Sequence, residues 1–419
     1  MSSLISIIGI FALLLIAFLL SNNRKAINYR TVIGALLIQF LFGAFILYVP
    51  IGRDILHSIA KGVQSVINYG YDGVRFLFGG LAPQLDGSMG SAGFVFVINV
   101  LPIIVFFSAL ISLLYYIGVM QWIIKIIGGA LQKALGTSKS ESMSAAANIF
   151  VGQTEAPLVI KPYISKMTES ELFAVMCGGL ASIAGSVMAG YAGMGVPLTY
   201  LIAASFMAAP AGLLFAKILI PQTEKFNDNL EKVEQEKPAN ILDAAASGAS
   251  SGMQLALNVG AMLIAFVALI ALLNGILGTL GGWIGQEGLS LGMIFGWIFK
   301  PLAFVIGVPW EEAEIAGRMI GTKLAINEFV GYLEFAPYLA ADAAVQLSDK
   351  TKAIITFALC GFANFSSIAI LIGGLGGMAP NRRGDIARLG IKAVIAGSLA
   401  NLMSATIAGL FIGLSGAAL

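Results

Sequence analysis

Apolar runs long enough to cross a bilayer recur along the whole chain, and they decide what it can fold into. LISIIGIFALLLIAFLL (Leu4 to Leu20), TVIGALLIQFLFGAFILYV (Thr31 to Val49) and a stretch from about Phe94 to Met120 come first. Runs at Glu171 to Met194, Val196 to Ile220, Ile241 to Leu273 and Leu289 to Val308 follow, then a final pair separated by GGMAPNRRGDIARLGIK. A helix needs about 20 such residues to span the hydrocarbon. The expected fold class is therefore an all-α polytopic membrane protein. Composition agrees: 58% of residues are hydrophobic and 11% charged, where soluble domains carry roughly a quarter charged. The mean hydropathy is +0.90. A membrane barrel would show alternating segments of about ten residues, and the sequence has none.

Charge sets the orientation. No Lys or Arg precedes the first run and no small-residue cleavage site follows it, whereas Arg24, Lys25 and Arg30 do. This marks a retained anchor with its N-terminus outside. Placing the basic clusters at 24–30, 125–139, 225–237 and 382–392 inside gives both termini outside and eight transmembrane helices. That count closes only if two apolar segments, around Ser142 to Lys166 and Ile315 to Tyr338, enter and return. GRDILHSIAKGVQSVINYGYDGVRFLF, which holds the only histidine, His57, reads as an interfacial helix; a proton relay at His57 is the sharper alternative. QWIIKIIGGALQKALGTSKSES, with Lys125, Lys133 and Lys139, reads as an amphipathic helix at the cytoplasmic face. GGLAPQLDGSMGSAG and QTEKFNDNLEKVEQEKPAN read as loops, and Glu311, Glu312 and Glu314 as acidic residues at a helix N-terminus. A net charge of +2 without a dense basic patch gives no reason to expect nucleic acid. Cys177 and Cys360 lie in apolar helical sequence and are expected to be small buried residues rather than a disulfide or metal site.

The chain also repeats itself. Thr154-Glu155, Pro162-Tyr163 and FAVMCGGLASIAG stand in the same order as Asn327-Glu328, Pro337-Tyr338 and TFALCGFANFSSIA. An odd number of spans between the copies makes them enter from opposite faces. Inverted repeats with broken helices meeting near the midplane are an architecture of secondary transporters.

A carboxylate in the bilayer costs at least about 2.5 kcal/mol, so Glu155 and Glu328 are functional-site candidates. Ion pairs with Lys161 and Lys323 are the plain structural alternative. Turned-back segments free backbone N–H and C=O groups, tolerable only where they line a polar cavity. Gly178 to Ser186 and Gly361 to Ala369 are rich in glycine and serine, and unwinding there frees carbonyls beside Ser182, Asn364, Ser366 and Ser367. Asn148, Val151 and Ser182 can supply oxygens for sodium. Gln153, Glu155, Glu328 and Asn364 can hydrogen-bond a neutral polar solute while Phe362 packs on a flat ring.

GQTEAPLVIKPY (Gly152 to Tyr163), NEFVGYLEF (Asn327 to Phe335) and GFANFSSIAI (Gly361 to Ile370), in this order, resemble the concentrative nucleoside transporters. The resemblance implies a homotrimer in which a transport domain moves against a scaffold as an elevator. It implies hairpins at 142–166 and 312–338. The scaffold would comprise residues 1–140 and, with the cytoplasmic loop and span 6, 222–310; the transport part would comprise 141–221 and 311–419. It implies that Gln153, Thr154 and Glu155 contact a nucleobase, with Val187 and Phe362 near its ring, while Glu328, Asn364 and Ser367 hold the ribose of a uridine-like nucleoside. Sodium would be bound by Asn148 and Ser182 with backbone oxygens of Val151 and Ile183. A chain of this length resembles bacterial members, which implies the inner membrane.

The expected function is sodium-coupled nucleoside import. The rivals are a proton-coupled carrier with Glu155 or Glu328 titrating, a passive channel, and a membrane-embedded enzyme, for which the sequence offers no nucleophile or metal-ligand cluster.

Overall fold

The computed structural model describes residues 2–84, 91, 93–226, 238–283, 285–340 and 342–415. Among these all regular structure is helical. Most of the two expected loops, at 85–90, 92 and 227–237, lies outside the described residues.

Helices α1 (Ser2–Leu19) and α2 (Tyr29–Leu47) open the chain and pack chiefly on the later helices Arg383–Ser415 and Leu198–Leu219. The Arg24 guanidinium closes α1 by donating to the carbonyls of Phe18 (3.1 Å) and Leu19 (2.7 Å), and the Asn28 side chain caps α2. Pro50, whose missing N–H costs nothing in a first turn, opens α3 (Pro50–Phe78). Leu56, Ala60, Ile67 and Val74 are buried on one face of α3, and His57 is exposed, as an interfacial helix requires.

The run expected from Phe94 to Met120 is shorter and divided. It comprises α4 (Phe96–Asn99) and α5 (Leu101–Tyr116), with Pro102 in the first turn of α5 and Gly118 in the left-handed conformation after its end. The expected single amphipathic helix after it is also two helices. Gly136, at φ +68°, ends α6 (Val119–Leu135), and Ser138 with Glu141 forms a capping box that opens α7 (Lys139–Ala147), so Lys139 belongs to the second helix.

A short α8 (Lys161–Ile164) precedes α9 (Glu169–Ala181), α10 (Gly185–Gly193) and α11 (Leu198–Leu219). The next helix, α12 (Ile241–Trp283), runs ten residues beyond the expected end at Leu273: no proline intervenes, and the glycines within those ten residues keep negative φ, the next positive φ among the described residues being that of Gly285 at +75°. The stretch Leu289 to Val308, left outside the expected count of eight spans, holds a shorter helix. Its helix α13 (Leu291–Val305) is about 22 Å long at 1.5 Å per residue, short of a 30 Å hydrocarbon core. It lies along α14 (Ala313–Ala325), where a Cβ on Gly317 would stand 2.8 Å from the Lys300 nitrogen and one on Gly321 2.5 Å from Phe295 Cβ. Then come α15 (Glu328–Phe335), α16 (Asp349–Leu359), α17 (Ser366–Met378) and α18 (Arg383–Ser415).

Among the described residues, six helical stretches are long and apolar enough to cross a membrane: Tyr29–Leu47, Phe96–Tyr116, Glu169–Gly193, Leu198–Leu219, Ile241–Trp283 and Pro380–Ser415. The shorter apolar helix Leu4–Leu19 and the broken pair α16–α17 complete the expected set. Burial sorts them. The most apolar windows of Glu169–Gly193 and Leu198–Leu219 are 94% buried and that of Pro380–Ser415 is 89% buried, whereas that of α12 is 11% buried. The core is therefore α9, α10, α11, α16 and α18, with α12 at the periphery.

Candidate transport site

Two segments leave one end of the molecule and come back to it. At one end, Ser140 Oγ near the start of α7 donates to Glu171 Oε1 near the start of α9 at 3.3 Å. The buried Lys217 of α11 pairs with Glu141 at 2.6 Å and fixes the same corner. The chain between α7 and α9 thus runs inward and returns, and it begins at Lys139, three residues before the expected Ser142. At the other end, Glu312 before α14 accepts from the backbone N–H of Ser348 (2.9 Å) and its hydroxyl (2.8 Å) at the start of α16. The second segment therefore returns at Ser348, ten residues past the expected Tyr338.

The two tips meet two helix breaks. Helices α9 and α10 are interrupted at Ser182 to Ala184, and α16 and α17 at Cys360 to Phe365, both where glycine and serine were expected to unwind the chain. Gly185 N donates to Phe150 O (2.9 Å), which docks the first tip on the first break. Phe365 N donates to Leu324 O (3.2 Å), which docks the end of α14 on the second. Phe362 N donates to Ser182 O (3.1 Å), so the breaks are also bonded to each other.

In the first tip, the Gly152 N–H donates to Glu155 Oε2 at 2.6 Å, and Glu155 is half-buried. Buried Gln153 donates from Nε2 to Ser367 Oγ (3.3 Å), while its Oε1 has no partner among the described residues. Gly179 admits this side chain: a Cβ there would sit 2.8 Å from Gln153 Cβ. Thr154 faces Gly374 of α17 in the same way, at 2.7 Å from Thr154 Cγ2.

Glu328, the first residue of α15, is 4% exposed and held by two neutral donors, Tyr191 OH to Oε1 and Asn364 Nδ2 to Oε2, both at 3.1 Å. Asn364 in turn accepts at Oδ1 from Ser366 Oγ (2.7 Å) and Ser367 N (2.9 Å). Val187 is buried in the first turn of α10, and Phe362 is half-buried in the second break. Neither Glu155 nor Glu328 has a Lys or Arg of the described residues within ion-pair distance. The alternative of pairing with Lys161 and Lys323 therefore does not hold; Lys323 Nζ instead donates to Ala358 O (2.8 Å) and Asn401 Oδ1 (2.6 Å).

Asn148 is 1% exposed at the end of α7, and neither atom of its amide has a hydrogen-bond partner among the described residues. Its Nδ2 would be 3.1 Å from a Cβ on Gly178, whose carbonyl accepts from Ser182 Oγ at 3.0 Å. Val151 and Ile183 are buried beside these elements. Unpartnered buried amides carry a desolvation penalty of about 1–3 kcal/mol, and oxygen donors of this kind suit a hard monovalent cation. Among the described residues there is no group of three or more His, Cys, Asp or Glu that would hold a transition metal. Cys177 and Cys360 are free thiols, both buried.

The structure places some of the sequence-selected side chains in contact. Gln153 and Ser367 touch directly, as do Glu328 and Asn364. Sequence reasoning missed Tyr191 and Asn401. Tyr191 stands four residues after Val187, on the same helix face, which was the available signal; Asn401 carried none beyond being polar inside an apolar run.

The fold and site define the class first: an all-helical, multi-pass membrane protein whose polar site lies where two turned-back segments meet two broken helices. Family models described as "Na+ dependent nucleoside transporter N-terminus", "Nucleoside recognition" and "Na+ dependent nucleoside transporter C-terminus" match residues 8–81, 97–198 and 200–409. The chain is 62% identical to the nucleoside permease NupC of Helicobacter pylori, over 99% of both chains. It is 39% identical to the rat sodium/nucleoside cotransporter 1, over 97% of this chain and 63% of that protein. Among solved structures, CNTnw in an inward-facing substrate-bound state is 65% identical over 100% of both chains with a TM-score of 0.95. The chain belongs to the concentrative nucleoside transporter family, a family of membrane transporters and not of enzymes.

Proposed function

We propose that this chain is a sodium-coupled symporter that imports nucleosides by alternating access. The observation that carries the ion is Asn148, a buried amide with no partner among the described residues, set against the turn of α9 that leads into the break at Ser182. Sodium would be held by Asn148 and Ser182 with the backbone oxygens of Val151 and Ile183. A uridine-like nucleoside would lie between the tips, its base on Gln153, Thr154 and Glu155 beside Val187 and Phe362, and its ribose on Glu328, Asn364 and Ser367. Neutral donors around Glu328 leave carboxylate lone pairs for sugar hydroxyls.

Structures of CNTnw described as outward-facing, intermediate and inward-facing, each 65–66% identical to this chain, support alternating access. Residues 141–221 and 311–419 would move as the transport body against a scaffold of 1–140 and 222–310. The assembly would be a homotrimer in a bacterial inner membrane with both termini outside. Proton coupling is the second reading, favoured by two inward carboxylates that make no ion-pair contact among the described residues.

Uptake of radiolabelled uridine into proteoliposomes, under an inward sodium gradient or an inward proton gradient alone, decides between them. Accumulation with sodium alone is expected. Accumulation with protons alone would reassign coupling to a carboxylate, and no accumulation under either would sink the symport reading.

A further inference from the structure

Asn401, in the middle of α18, has a side chain that reaches both helix breaks. Its Nδ2 donates to Ala181 O (2.6 Å), the last residue of α9, and to Cys360 O (3.0 Å), the first residue after α16. Its Oδ1 accepts from Lys323 Nζ at 2.6 Å, and the same ammonium donates to Ala358 O at 2.8 Å. Asn401 is 2% exposed and Lys323 4% exposed. Gly361 leaves the room for this arrangement, since a Cβ there would collide with the Asn401 amide. Gly397, one turn earlier on α18, lets the helix approach closely, with a Cβ there 2.8 Å from Leu180 Cβ.

The chemistry admits one orientation. Turning the amide over would set N–H against an ammonium and an oxygen against two carbonyls. The side chain needed here presents an acceptor to one side and two donors to the other. Asparagine does so; aspartate and leucine do not. Carbonyls freed by a helix break must be satisfied when buried, and here one group satisfies a carbonyl from each break.

From this geometry we infer that Asn401, oriented by Lys323, is a positioning residue that holds the two breaks at a fixed separation and so couples the ion side of the site to the nucleoside side. Ala181 precedes Ser182, and Cys360 lies two residues before Phe362; a displacement at one break is passed to the other through a single rigid amide and the Phe362-to-Ser182 backbone bond. The inference rests on the symport reading for its ion, but the bracing itself does not. Ligands that share a rigid element must show reciprocal coupling in binding.

The test measures nucleoside Kd with and without the cation that drives wild-type uptake, together with hydrogen exchange of peptides covering 178–187 and 358–366. In Asn401→Ala the ratio of the two Kd values is expected to fall at least tenfold toward unity, with faster exchange at both breaks. A fall of less than tenfold, or exchange that rises at only one break, overturns the inference. If Asn401→Ala does not elute as folded protein, Asn401→Asp, which keeps the shape and the Lys323 contact but faces two carbonyls with an oxygen, is read by the same criterion. Failure of both to fold would assign Asn401 to stability alone and overturn the positioning role. A wild type whose affinity no cation alters refutes the symport reading before any variant is made, and the brace is then judged on exchange alone.

Discussion

Glu328 shows how far single residues announce themselves. A carboxylate in an apolar run is costly wherever it falls, so Glu155 and Glu328 stand out from sequence alone. Tyr191, which donates to Glu328, does not, because a tyrosine in such a run is ordinary until its hydroxyl is seen to have a partner. Hydrogen bonds to charged groups are worth about 1.5–3 kcal/mol, so Glu328→Gln is expected to weaken nucleoside binding roughly ten- to hundredfold, measured by equilibrium binding. Affinity within twofold of wild type would remove Glu328 from the ribose site. Tyr191→Phe, which leaves the carboxylate in place, is expected to cost about 1 kcal/mol in the same assay. Asn148→Leu fills the ion position with an apolar group; nucleoside affinity should then lose its response to sodium, and a retained response would move the ion elsewhere.

At the scale of elements, the sequence is most legible where a local signal acts alone. The glycine-serine stretches unwind where expected, whereas sequence reasoning missed the capping boxes of Ser138 with Glu141 and Thr168 with Glu171, though both are of S/T-x-x-E form. The limits of α12 and α13 were not legible. Apolar content does not distinguish a span from a helix laid along a neighbour, and what fixes α13 is the close approach allowed by Gly317 and Gly321 of the following helix, α14. The turned-back segments were visible as a topological necessity, but their ends were not, because Ser140–Glu171 and Glu312–Ser348 are tertiary bonds. The first segment is also anchored by the buried Lys217–Glu141 pair. Removing one partner of such a pair typically costs about 3–5 kcal/mol, while replacing both can be near neutral. Lys217→Met should therefore lower the thermal unfolding midpoint in detergent, and Lys217→Met with Glu141→Gln should recover most of it. A single variant as stable as wild type would show that the pair does not anchor the segment.

Across the whole molecule, the inverted repeat was readable as an order of motifs, and the structure gives that order a physical form. Each segment is tied to its own end, the tips meet breaks in the middle, and the breaks are bonded to each other. What the repeat could not convey is the burial gradient from α9 and α11, almost wholly enclosed, to α12, almost wholly open. In the homotrimer proposed for this chain, native mass spectrometry is expected to give three protomers, and a monomer would refute that assembly. The 43 residues of α12 extend about 65 Å at 1.5 Å per residue, roughly twice the thickness of a hydrocarbon layer. A rod of that length with an open apolar flank must lean or protrude, and either choice costs free energy that varies with acyl chain length by fractions of a kcal/mol per Å. The lean is fixed by what packs on the rod, and α5 lies along its first half through Gly248 and Gly252, so the two helices meet a change of bilayer thickness as one packed pair.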